Sequence, residues 1–205
     1  MPIRTVRLSP PRSSEALGVL RASGAIVVLM VVFAGARTEE VRPVRAPLEF
    51  EVAFESLPPD QQTVGREVRL ALDEILNLRA ETGAWPAPWD LEEQGIAPFA
   101  PIRLVGRVVR HRWDFQQTPP LSVYVGRPES EGAWPSWLLR LDEAVDTDPA
   151  HQALAGQDGT HFAVGPDRIV HASIWVMDAG RGDVSASERP EREGWRRVAF
   201  GRPTD

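Results

Sequence analysis

Hydrophobic positions follow three periods along the chain, and each predicts a different element. The first is an unbroken apolar run, Ala22 to Ala36, 15 residues without a charge. Extended back to Leu17 it reaches 20 residues, about 30 Å of helix, with Arg21 near one end where its guanidinium can snorkel to lipid headgroups. The second period is helical. Val64, Val68, Ala71, Leu72, Ile75 and Leu76 recur at spacings of three and four and predict one amphipathic helix, opened at Pro58-Pro59-Asp60 and closed at Thr82-Gly83. The third begins at Ile102, where the period becomes two. In IRLVGRVVRHRWDF, Val105, Arg107, Val109, His111, Trp113 and Phe115 share one predicted face.

Further strands are predicted at LSVYVG (121–126), SWLLRLD (136–142), VHASIWVMD (170–178) and WRRVAF (195–200), with LEFEVAF a short strand before the helix. Asp90 to Glu93 has capping-box spacing for a helix of one or two turns, closed by Gly95. A helix followed by several β-rich runs is the order of an α+β domain, an amphipathic helix packed on a small antiparallel sheet.

The N-terminal run has two readings. Arg4, Arg7, Arg12 and Arg21 precede or enter it against a single Glu15, a basic lead of the export type. Ala34-Gly35-Ala36 is a triplet that a signal peptidase can cut, whereas the long basic lead and the immediate Arg37 favour a retained transmembrane helix. A pilin-type signal is not met, because the fifth residue after Gly18 is Ser23 and after Gly24 is Leu29. The predicted layout is a cytoplasmic basic N-terminus (1–16), a transmembrane anchor or signal peptide (17–36), a Pro- and Arg-rich stalk (37–59) and a periplasmic α+β domain (60–205). The expected location is the bacterial inner membrane, spanned once.

Composition narrows the chemistry. A net charge of −6 argues against a nucleic-acid partner. All 23 basic residues are Arg, so Walker lysines, Schiff bases and Ser-x-x-Lys nucleophiles are excluded. With no Cys there is no disulfide, thiol nucleophile or thiolate metal site. No Gly-x-Ser-x-Gly or His-Glu-x-x-His occurs, and the adjacent pair Glu92–Glu93 points to different helix faces. No catalytic and no cofactor-binding residues are predicted.

Metal ligands are the remaining candidates. The segment DEAVDTDPAHQALAGQDGTH concentrates Asp142, Glu143, Asp146, Asp148, His151, Asp158 and His161. Carboxylates and imidazoles in one connection suit Zn²⁺ when two His and an Asp converge, which makes His151, His161, Asp146 and Asp148 the candidate ligands and Zn the one candidate ion. His111 reads as a packed, hydrogen-bonded histidine beside Trp113, and His171 as part of a solvent-facing strand with Ser173 and Trp175. Among the tryptophans, Trp85, Trp89, Trp134 and Trp137 read as core-capping rings, with a partner surface as the alternative.

The order REVRLALDEILNLRAETG, WDLEEQGIAPFAP, HRWDF, LSVYVGR, SWLLRLD, HASIWV and GWRRVAF resembles an uncharacterised bacterial family of single-pass membrane proteins, a domain of unknown function. Its members are encoded beside ABC-type zinc and manganese uptake systems. The resemblance covers about residues 60–200 and is clearest from Arg66 to Asp142. It implies an N-terminal anchor, a periplasmic domain and a non-catalytic accessory role in divalent-metal uptake, with the ABC transporter or its binding protein as partner. Two alternatives stand beside it: a pilin-like anchored domain for envelope assembly, and a hydrolase on an unfamiliar fold.

Overall fold

Residues 48–130, 134–146, 148, 159–180 and 189–201 are described by a computed structural model. They belong to the second of two compact units, Pro47–Asp205. The segment 17–36 lies outside them, and among the described residues no helix is long and apolar enough to cross a membrane.

The helical stripe forms helix α1, Pro59–Thr82. Proline at its first position lacks the N–H that would be orphaned there, and Asp60 sits where the positive end of the helix dipole favours a carboxylate. Gly83 takes the left-handed conformation at φ 73°, and its N–H closes the helix on Arg79 O at 3.0 Å. Val64, Gly65, Val68, Ala71, Leu72, Ile75 and Leu76 are all buried, so the predicted stripe is the face that packs on the sheet. Gly65 lets the helix approach closely there, where a Cβ would stand 3.0 Å from the Trp137 ring. The short helix α2 runs Pro88–Glu93. It starts three residues earlier than the capping-box spacing suggested: Ala87 is the N-cap and Asp90 lies inside the helix, its carboxylate accepting the Ala87 N–H at 3.1 Å.

The strands among the described residues are, in chain order, β1 (Glu51–Ala53), β2 (Ile102–Leu104), β3 (Arg107–Val109), β4 (His111–Thr118), β5 (Leu121–Pro128), β6 (Ser136–Val145), β7 (His161–Gly165), β8 (Arg168–Met177) and β9 (Arg196–Ala199). The main sheet has the order β1-β9-β8-β6-β5-β4, with β7 also paired to β8. Its pairs are antiparallel except β1 with β9, so the expected antiparallel sheet carries one parallel edge.

The alternating run from Ile102 is not one strand. It folds back at Val105-Gly106 into the β2–β3 hairpin before β4 begins. Gly106 at φ 75° makes that turn, and Val105 at its tip is fully exposed rather than sharing a face with Trp113. The segment around His161, read as a connection, is strand β7 at its C-terminal end, and β6 extends to Val145.

Alternation along the long strands sorts side chains onto two faces. Under α1 lie Trp113, Tyr124, Trp137, Leu139, Leu141, Val170, Ala172, Ile174, Val176 and Val198. The opposite face carries a second apolar cluster, Val123, Val125, Leu138, Trp175, Met177 and Trp195, flanked by Phe50 and Leu121. Trp85 and Trp137 are buried as expected of core rings, whereas Trp89 is 61% exposed. Gly126 clears space for Trp113 on the neighbouring strand, whose indole donates to Pro98 O at 3.0 Å.

Candidate functional site

The face turned away from α1 changes character along the strands. Toward one end it is the apolar cluster of Val125, Leu138 and Trp175. Two registers further on, polar residues take over, and the pairing sets them in one row: Thr118 opposite Leu121, Leu121 opposite Asp142, Asp142 opposite His171, and His171 opposite His161. The adjacent row holds Arg140 and Ser173, paired across β6 and β8.

Within this strip the side chains are engaged with one another. The His161 and His171 rings meet edge to face, centroids 4.3 Å apart at 73°. Thr160 Oγ1 lies 3.0 Å from His161 Nδ1. The Asp142 carboxylate accepts from Arg140 at 3.0 Å, and the Ser173 hydroxyl accepts the Trp175 indole N–H at 2.9 Å. Both histidines and Asp142 are half-buried, so solvent reaches the strip while the strands hold it.

The predicted ligands fare unequally. His161 is brought against His171, which the sequence reading placed on a solvent-facing strand with Ser173 and Trp175. Asp146 lies four residues beyond Asp142 on the same chain segment, about 13 Å along the strand direction at ~3.3 Å per residue. There its N–H donates to Asp167 O at 2.8 Å, and its carboxylate accepts the Asp148 N–H at 2.8 Å. Asp146 and Asp148 therefore cap the connection after β6 and do not converge on His161. His151 lies outside the described residues. Among the described residues no group of three or more His, Asp or Glu side chains is placed to hold an ion.

Glu143, next to Asp142, points to the other face. Its side chain is 12% exposed and is clasped by Arg79 of α1 at 2.9 Å and by Arg168 of β8 at 2.7 Å. Burial pushes the Glu143 carboxyl up, but the hydrogen bonds from Arg168 and Arg79, with their charges, outweigh it and leave the group below the usual 4.5. Arg79 also donates to Gly83 O and lies over the Trp85 ring, 5.3 Å from its centroid. These residues line a cleft of about 460 Å³ with Gln117, Pro119, Pro120 and Val145. Since Arg79 and Glu143 are occupied with each other, the clasp serves to tie helix to sheet.

His111 is structural, as its place beside Trp113 implied. It is buried, and its Nε2 lies 3.1 Å from Pro135 O, so that nitrogen carries the proton. Burial holds the imidazole below the usual 6.5 in spite of that bond and of the Glu129 charge.

No curated protein and no solved structure matches the chain. A family model does, over residues 52–202, which is the described domain from β1 to the end of β9 and just beyond. The chain belongs to the family of unknown function DUF6162.

Proposed function

We propose that this is a membrane-anchored periplasmic accessory protein of a divalent-metal uptake system, with zinc as cargo, working through protein contact and metal handling rather than catalysis. The observation that carries the reading is the pair of half-buried imidazoles, His161 and His171, set side by side on the sheet face away from α1. Imidazole nitrogen is a favoured donor for zinc, and a strip open to solvent is where a donor or acceptor protein has access. The layout supports the anchored arrangement: the family match begins at residue 52, after the apolar segment 17–36 and the Pro- and Arg-rich stretch that follows it. The partners that this role calls for are the membrane and an ABC uptake transporter or its binding protein.

Deleting the gene in cells held short of zinc by a chelator tests the role. Cellular zinc, measured by mass spectrometry, falls in the deletion strain and recovers with a plasmid copy. Equal zinc in the two strains under limitation would sink the uptake reading. Fractionation tests the tether separately: a full-length, carbonate-resistant membrane protein is expected, and a mature N-terminus at Arg37 overturns it.

A further inference from the structure

We infer that His161 and His171 form a two-imidazole chelate for a borderline divalent cation, an exchangeable site on the open face of β7 and β8. The inference rests on the metal-handling reading above and gives it a site.

Geometry comes first. The two residues are directly opposed on antiparallel neighbours, which sets their Cβ atoms about 4.5–5.5 Å apart. Two nitrogens bound tetrahedrally to one ion at about 2.0–2.1 Å stand about 3.3 Å from each other. Ring centroids 4.3 Å apart put the imidazoles within the range that such a spacing requires. The two ligands stand ten positions apart in sequence, yet the β7–β8 hairpin holds them in register, so little ordering entropy is lost on binding.

The surroundings suit a cation. Thr160 Oγ1, 3.0 Å from His161 Nδ1, orients the ring. Asp142 lies next in the same row on β6 and adds negative charge without being a ligand, since Arg140 holds its carboxylate. The alternative use of the pair is an aromatic contact between strands. A zinc titration separates the two uses.

Chemistry then selects the ion. Two imidazoles favour Cu²⁺, Zn²⁺ and Ni²⁺, whereas Mn²⁺, Mg²⁺ and Ca²⁺ prefer oxygen donors. Two ligands from the described residues leave further positions to other donors, water or a partner's side chains among them. That gives micromolar rather than tight binding and an open path for handing the ion on.

The full chain in mild detergent, titrated with Zn²⁺ against a chromophoric chelator, tests the site. One equivalent is expected to bind in the micromolar range, with Mn²⁺ failing to bind at the same concentration. His161→Ala and His171→Ala each weaken Zn²⁺ by about tenfold or more, and Asp142→Asn by less. Metal-free melts report whether the variants fold. If one does not, imidazole NMR of the wild-type chain under Zn²⁺ answers the question, with shifts expected at His161 and His171 among the four histidines. Undiminished binding in the double variant, or shifts confined to His111 and His151, overturns the chelate and leaves metal handling to other residues. No binding by the wild-type chain overturns the chelate too, while the zinc-limitation experiment still decides the accessory role, which protein contact alone can fulfil.

Discussion

Replacing Glu143 by Gln tests how the helix is tied to the sheet. The carboxylate receives Arg79 Nη2 at 2.9 Å and Arg168 Nη1 at 2.7 Å, and its side chain and that of Arg79 are only 12% and 13% exposed. Gln keeps the volume and one acceptor oxygen but removes the charge. A hydrogen bond to a charged group contributes about 1.5–3 kcal/mol where it is well buried. The Arg168 contact is half exposed and is left out of the sum because solvent screens it. Arg79 keeps Gly83 O and the Trp85 face after the substitution, so its guanidinium is not stranded. The expected loss is about 2 kcal/mol, or about 6 °C in Tm at roughly 3 °C per kcal/mol for a domain of this size. Because the folded carboxyl titrates below 4.5, its contribution is present above that pH and is lost as pH falls through the folded value. Thermal melts of wild type and Glu143→Gln followed by circular dichroism therefore differ at pH 7 and converge toward pH 3. Coincident melts at pH 7, or a gap that persists unchanged at pH 3, refute the clasp as a stabilising contact. A double-mutant cycle with Arg79→Met isolates the pair energy.

Two further substitutions probe the core. Gly126→Ala places a Cβ 2.7 Å from Trp113 Cζ2, which forces the indole off Phe99 and Pro98 O. Overpacking of this kind costs about 1–3 kcal/mol, so denaturant melts shift to a lower midpoint, and an unchanged midpoint contradicts the close approach. His111→Phe addresses pH. The folded imidazole resists a proton that the unfolded one accepts near 6.5, so wild-type stability falls as pH drops below 6.5 toward the lowered folded value. The Phe variant shows a shallower slope of stability against pH in that window, and an identical slope rules out His111 as its source.

Much of the fold was legible because local periodicity and tertiary burial agree. The stripe of α1 from Val64 to Leu76 is buried throughout, and the Gly83 stop is realised as a left-handed cap. The alternation in β5, β6 and β8 likewise reports two sheet faces, although both carry apolar clusters and a simple inside–outside pattern does not hold. The reading of Ile102 to Phe115 as one strand missed the hairpin for a physical reason. Apolar positions change phase there, from Ile102 and Leu104 to Val109, Trp113 and Phe115, and a single face drawn through Val105 and Arg107 passes over that break and over the glycine that marks the reversal. The parallel pairing of β1 with β9 joins segments 146 residues apart in sequence, and nothing local encodes it.

The candidate site was half legible for a related reason. Residue type drew attention to the acidic, histidine-bearing connection after β6, and His161 belongs to it. Its partner did not stand out, because closeness in sequence is a poor guide to convergence in a sheet. Asp146 and Asp148 sit in the same connection as His161, yet the strand rise carries Asp146 about 13 Å along β6 from the histidine row. His171 is ten residues away in the other direction and lies directly opposite. The nearest signal is the turn. FAVGPDRIV sets a Pro-Asp pair between two β-rich runs and marks the reversal, but counting outward from Gly165 opposite Arg168 would set His161 against Ala172; the irregularity between Ala163 and Gly165 shifts the register by one and brings it to His171. The hairpin thus sets two histidines ten positions apart in sequence side by side, while the rise along β6 carries Asp146 away from their row.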